Sequence, residues 1–387
     1  MRHLRTIPAA ILTFALAIIA SAPAGDAARS QPVKLSEDMS LDQIYDTLQA
    51  HPPSFTNGAD RRTIFAAMDK HVNIRVRTSA GFGDGQRAAL EPLIAFYRRR
   101  VDVGLDRLEK VKVDRGVHVF KFYSSSYVLR SREGTVLLDF AQGPIIGNDG
   151  EPEQQDALRE RCGFYWTPAQ RRRLAGQVDV SLITHRHFDH GDFSLSKRLI
   201  DAGKPVIGPA QLKEKWAKVL PGITVPDYGK VQRLGPVEIL TKLGWQYSTN
   251  RRCEDGKHRA FPNTTRPADD SETVIYLFRL GGFVFLHAAE NHVPYADFLT
   301  EAEKDGWKVN VALAVGQWQG ASSTLGVIGR AFHLSHHEYE MTHEDGGQRM
   351  AYRLAGGQGG QVRAGRRMVL FWGEDFHLTP EMLAWTR

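Results

Sequence analysis

The apolar positions of this 387-residue chain change period part-way along it. From Leu41 to about Lys110 they recur at helical spacing: Leu41, Ile44, Tyr45 and Leu48 share one face, and a longer run from Gln86 to Leu108 repeats the pattern. HPPSFTNG and TSAGFGDG between these runs carry turn chemistry. After Gly116 the period falls toward two. VHVFKFYS, SYVLRS and TVLLDF read as strands, broken by Ser-Ser and by Glu133-Gly134. Further strands are expected at VDVSLIT, KPVIG, VEILT, TVIYLFR, FVFLH, VNVALAV and RMVLF, with helices at LSKRLIDAG and AQLKEKWAKV between them. Thr167-Pro168 opens another helix, threonine at the cap and proline in the first turn. Strands interleaved with helices predict a layered α/β core behind a helical N-terminal extension. The triplet Arg98, Arg99 and Arg100 reads as a solvated helix face, with binding of an anionic ligand as the lesser alternative.

The head of the chain sets the expected compartment. MRHLR is short and basic, Ile7 to Ala20 is nearly all apolar, and SAPAGDA is made of small residues, which together read as a secretory signal peptide. Ala22 and Ala24 place cleavage before Gly25, with Ala27 as a second position. The expected organisation is therefore a signal peptide over 1–24, a helical extension over 25–115 and a catalytic domain over 116–387, exported to the periplasm or the extracellular space. The apolar run falls short of the ~20 residues that a bilayer span requires, so no membrane span is expected in the mature chain. Cys162 and Cys253 are the only cysteines, and export makes a disulfide as plausible as two thiols.

Composition narrows the partners. A hydrophobic share of 42% with 24% charged residues belongs to a folded domain rather than a disordered or fibrous chain. The formal charge of +6 falls to +4 without Arg2 and Arg5, a weak excess for gripping nucleic acid. A small-molecule substrate is the expected partner, and the oligomeric state is left open.

The chemistry concentrates where VDVSLIT runs into Thr184-His185-Arg186-His187-Phe188-Asp189-His190-Gly191-Asp192. Four side chains able to hold a metal fall within six residues. If the chain stays extended past the strand, His185 and His187 point the same way and can share one ion. A turn at Gly191 brings Asp189 and His190 round to hold a second ion through a carboxylate and another imidazole.

His-x-His-x-Asp-His after a hydrophobic strand resembles the signature of the metallo-β-lactamase superfamily, and the likeness extends from about Gly116 to the C-terminus. It implies an αββα sandwich of two sheets with metals at one edge. Upstream, SSSYVLRSREGTVLLDFAQGP resembles the opening hairpin, with Asp139 as the strand-end aspartate that supports the site from behind the ligands. Downstream, GGFVFLHAAEN resembles the strand that ends in Gly-Asp and delivers a bridging carboxylate, but this chain has Ala289-Glu290 there. Glu290 keeps the oxygen and adds one methylene. His287 and His292 flank it, with packing or a hydrogen bond as their expected role. The resemblance also asks for a histidine between the two motifs, and His258 in CEDGKHRAF takes that place. A last ligand is expected after a late strand, where RAFHLSHHEYEMTH offers His333, His336, His337 and His343; His337 matches best, with His336 as the alternative and with Glu340 and His343 as pocket groups.

The implied set is His185, His187 and His258 on one ion, with Asp189, His190, Glu290 and His337 on the other. Imidazole-rich ligation suits zinc, two ions per chain, with manganese or iron admitted by the oxygen donors. The expected activity is metal-dependent hydrolysis of an ester, lactone or amide, with Asp189 also orienting the attacking hydroxide and receiving a proton. The alternatives are a phosphodiesterase, or a non-catalytic metal- or ligand-binding protein disabled by the Ala289-Glu290 change.

Overall fold

The computed structural model describes residues 35–54, 58–72, 84–143, 156–157, 159–160, 163–187, 189–246, 271–289, 295–314, 327–336 and 366–386. Three helices come first, α1 (Leu41–Ala50), α2 (Gly58–His71) and α3 (Asp84–Lys110). Ser40 starts α1 with a capping box: its side chain accepts from Gln43 N–H, and the Gln43 side chain accepts from Ser40 N–H.

The first sheet has the strand order β13-β1-β2-β3-β4-β5. It is formed by β1 (Val117–Lys121), β2 (Tyr127–Arg130), β3 (Thr135–Leu138), β4 (Val180–Leu182), β5 (Val206–Ile207) and β13 (Glu374–Leu378). Its β13 to β3 part is antiparallel and its β3 to β5 part parallel. Three helices follow in its second half, α4 (Pro168–Gln177), α5 (Phe193–Asp201) and α6 (Ala210–Trp216). Thr167 caps α4 with proline in its first turn, as expected from the sequence.

The second sheet has the order β12-β11-β10-β9-β8-β7-β6. Its strands are β6 (Val231–Leu234), β7 (Val237–Gln246), β8 (Ser271–Leu280), β9 (Phe283–Ala289), β10 (Val311–Ala314), β11 (Phe332–Leu334) and β12 (Arg367–Met368). It too is antiparallel in one half, β6 to β9, and parallel in the other. Helix α7 (Ala296–Lys304) joins β9 to β10.

Alternation decides what each strand buries. On β8, Val274, Tyr276, Phe278 and Leu280 face the core between the sheets, where Val119, Leu129, Val136 and Leu182 meet them from the first sheet. Ile275 and Leu277 point the other way and pack with Leu299 and Ala302 of α7. The result is the expected αββα sandwich behind N-terminal helices.

Those helices are fixed by polar contacts as much as by area. Arg61 on α2 is buried and binds Glu374 of β13 through both guanidinium nitrogens, at 2.9 and 2.5 Å. Arg100 on α3 is buried, its Nε donating to the Trp372 carbonyl at 2.7 Å. This corrects the reading of the arginine triplet as a solvated face: Arg99 is exposed, whereas Arg100 shares the buried face of Phe96, Tyr97 and Leu105. The close approach needs glycine at Gly373, which has φ 69° and where a Cβ would lie 1.9 Å from the Arg100 carbonyl oxygen.

Candidate metal centre

Strands β3 and β4 run parallel with Leu138 beside Leu182, so the chain leaves the sheet at Asp139 and Thr184 side by side. Asp139 turns away with φ 41°, a backbone region aspartate tolerates better than most residues. Its carboxylate receives Thr184 N–H on Oδ1 and Thr184 Oγ–H on Oδ2, both at 2.7 Å. At the far end of the loop Asp192 caps α5 by accepting from Leu195 N–H at 2.9 Å. Gly191 passes the Trp216 ring so closely that a Cβ would lie 3.1 Å from it. The loop from His185 to His190 is thus pinned at both ends.

Between these pins the donor atoms converge. Thr184 gives its hydroxyl proton to Asp139, so it accepts from His185 Nδ1–H at 3.0 Å, and the lone pair of a neutral His185 lies on Nε2. That nitrogen is 3.1 Å from His187 Nδ1, while His187 Nε2 meets Ser271 Oγ at 3.2 Å. Two ligands of one tetrahedral zinc sit about 3.3 Å apart, given Zn–N bonds of ~2.0–2.1 Å. His190 repeats the logic: Nδ1–H donates to Asp139 Oδ2 at 2.8 Å, and Nε2 lies 3.2 Å from Asp189 Oδ2. The ligand atoms of His185, Asp189 and His190 lie within 4.8 Å of one another, as do those of Asp139, His287 and His336. The residues fit one or more divalent ions.

Electrostatics favours that use. Burial pushes His185 well below the usual imidazole range, helped by His190 and His187, so it stays neutral. Burial would raise Asp139, but His287 and His190 hold its carboxyl well below the ordinary range. Burial works against a charged His190, yet Asp189 and Asp139 together lift it to about 9, so an arriving cation displaces a proton there.

The structure brings His185 beside His187 and Asp189 beside His190, with His190 bonded to Asp139. It also places His336, weighed in the sequence as the alternative to His337, fully in the site: buried, with its ring 6.1 Å from that of His190 and 5.3 Å from that of His287. His258, Glu290, His292, His337, Glu340 and His343 lie outside the described residues, as do Cys162 and Cys253. Ala289 has φ 40°, in the left-handed region that favours glycine. His287 makes a hydrogen bond, one of the two roles expected for it, and the partner is Asp139 at 2.7 Å. Thr184, Ser271 and Gln142 were not anticipated. Thr184 had a signal in its place directly before the motif; Ser271, at the start of β8, and Gln142, in the loop after β3, had none.

No family model matches this chain, and no curated protein matches it either. Solved structures do. A possible metal-dependent hydrolase from Veillonella parvula aligns over 69% of this chain and all of its own length, at 14% identity and a TM-score of 0.45. The isothiocyanate hydrolase from Delia radicum gut bacteria aligns over 68% of this chain and 99% of its own, at 13% identity and a TM-score of 0.45. The metallo-β-lactamase fold protein YhfI from Bacillus subtilis aligns over 68% and 100%, at 13% identity and a TM-score of 0.39. In each case the alignment takes in nearly the whole of the other chain.

Proposed function

We propose that the protein is a metal-dependent hydrolase acting on a small ester, lactone or amide. The observation that carries the reading is the pairing of His185 Nε2 with His187 Nδ1 at 3.1 Å beside the pairing of Asp189 Oδ2 with His190 Nε2 at 3.2 Å. Two adjacent ligand pairs suit two ions, zinc by their imidazole content, with manganese or iron as the oxygen-tolerant alternatives. His185 and His187 would hold one and Asp189, His190 and His336 the other; His258, Glu290 and His337 remain in the proposed set from the sequence alone. When bound, such ions supply Lewis acidity and lower the pKa of water from ~15.7 toward ~7.

The chain's own groups do the rest. Asp139 fixes the ring orientation of His190, Thr184 fixes that of His185, and Asp189 orients the attacking oxygen and takes its proton. The proposed compartment is periplasmic or extracellular, following the head of the chain. No helix among the described residues is long and apolar enough to cross a membrane.

Elemental analysis of protein purified without chelator, with His187→Ala beside it, tests the reading. Wild type should carry metal and turn over at least one of a chromogenic ester, lactone, phosphodiester or cephalosporin. The variant should fold and lose both properties. Full metal content and wild-type turnover in His187→Ala would remove the loop from the site, and metal without turnover on any substrate would favour the non-catalytic binder.

A further inference from the structure

We infer that His287 is itself a metal ligand, through Nδ1, in a site it shares with His336 at the edge between the two sheets. The inference rests on the metallo-hydrolase reading and adds a ligand that the family resemblance does not supply.

The position follows from strand alternation. Phe283 and Phe285 on β9 face the core between the sheets, whereas Val284, Leu286 and Ala288 pack toward α7. His287 therefore continues the inward row, two residues before the end of β9. It pairs with Tyr276 on one side and Leu313 on the other, both in the inter-sheet core. An apolar side chain would suit that row. The imidazole instead reaches across to the first sheet and places Nε2 2.7 Å from Asp139 Oδ2.

That distance assigns the roles. Two ligands of a single tetrahedral ion stand about 3.3 Å apart, so a separation of 2.7 Å marks a hydrogen bond in which His287 Nε2–H donates and Asp139 accepts. A neutral imidazole that donates from Nε2 carries its lone pair on Nδ1. His287 is fully buried, and among the described residues its Nδ1 has no hydrogen-bond partner. A buried nitrogen left with a bare lone pair calls for an ion or a water. The His336 ring centroid lies 5.3 Å away. Asp139 Oδ2 also accepts from His190 Nδ1 at 2.8 Å, so one carboxylate oxygen orients two imidazoles, and for His287 it leaves Nδ1 as the nitrogen that faces away from it.

A neutral ligand in this place adds no negative charge. Such a site selects the ions that imidazole prefers, zinc and cobalt, over manganese.

The test titrates full-length apo-protein with cobalt and with zinc, read by calorimetry and by the visible cobalt spectrum, for wild type and His287→Gln. Glutamine offers an amide donor to Asp139 but has no imidazole lone pair. The expected result is that the last-bound equivalent weakens at least tenfold, with a changed cobalt band, while the remaining binding is unaltered. A His287→Gln isotherm and spectrum indistinguishable from wild type would overturn the inference and leave the metallo-hydrolase reading standing; a wild type that binds no ion would overturn both. Thermal melts of the two apo-proteins check the fold. Should the variant not fold, side-chain 15N NMR of wild type decides instead: the His287 Nδ1 resonance must move on metal addition, and an unmoved Nδ1 sinks the idea.

Discussion

The two sheets are covered in different ways. Over the second sheet, α7 lays Leu299 and Ala302 on Ile275, Leu277, Leu286 and Ala288, and its N-terminus has no side-chain cap. Over the first sheet, the N-terminal helices make buried, directional contacts: Arg61 with Glu374, Arg100 with the Trp372 carbonyl, and Tyr97 Oη–H with the Gln142 carbonyl at 2.6 Å. An apolar cover is specified by area and by the fit of its side chains. A cover built on ion pairs and hydrogen bonds is specified by register. The N-terminal cover also leads to the metal centre, because the Gln142 side chain donates to Asp192 at 2.9 Å, two residues after His190. The extension thus fixes the rear of the motif loop, a task α7 does not share.

Arg61 makes the contact of the N-terminal cover with most to lose. Arg61→Ala leaves Glu374 buried without its cation and should cost about 3–5 kcal/mol, read from urea unfolding of the apo-protein. A cost below about 1 kcal/mol would make the pair decorative. Leu299→Ala on α7 should cost somewhat less, about 2–4 kcal/mol from lost burial and the cavity left behind. Its metal affinity should match wild type, since Leu299 packs with Leu286 and Ala288, which face away from the His287 side of β9. An equal loss of metal affinity in Leu299→Ala would show that the two covers are not distinct.

Tyr97→Phe sharpens the same point from the other side. It removes one hydroxyl, which donates to the Gln142 carbonyl and accepts from Trp166 Nε1 at 3.0 Å. The stability loss should be about 1–3 kcal/mol, and here metal affinity should fall as well. Isothermal titration of Tyr97→Phe beside Leu299→Ala measures the contrast.

How much of this was legible depended on whether the cause was local. The motif loop was, because ligand types at spacing two after a strand announce themselves whatever surrounds them. The strands of the inter-sheet core were too, since Val, Ile and Phe alternate in them. Strand β13 was not: EDFHL opens with two acids, and it becomes a strand by pairing with β1, a partner more than 250 positions earlier. Helix α7 lacked a Ser, Thr, Asp or Asn at its start, having Tyr295 there, so no cap marked it. The predicted strand RMVLF is shorter than expected, ending at Met368 before the turn that Gly373 permits. Arg100 could have been placed, because it stands three and four residues after the buried Tyr97 and Phe96. Its charge argued for solvent, and a carbonyl 272 residues away outweighed that argument.

The smallest effect falls on Asp156, within the polar network that ties the N-terminal cover to the loop. It accepts from Gln142 Nε2 at 2.5 Å and from the Ser194 hydroxyl. Burial and, after it, the charge of Asp192 push its carboxyl up to about 7, against the pull of Arg159 and Arg171. Between the ordinary value of 3.8 and about 7 the folded chain therefore holds a proton that the unfolded chain has released. Stability on this account declines as pH rises through that window and levels off above it. Asp156→Asn mimics the protonated acid at every pH. At pH 4 variant and wild type should unfold alike. By pH 8 the variant should be more stable by on the order of 1–2 kcal/mol, less than the ~1.4 kcal/mol per unit of a fully enclosed group because water reaches part of this side chain. Denaturant midpoints of the apo-proteins at pH 4, 6 and 8 check it, and a difference that does not change with pH would mean that Asp156 is ionised throughout. Leu299→Ala, measured in the same series, should show a constant difference from wild type, since the apolar cover has no proton to exchange.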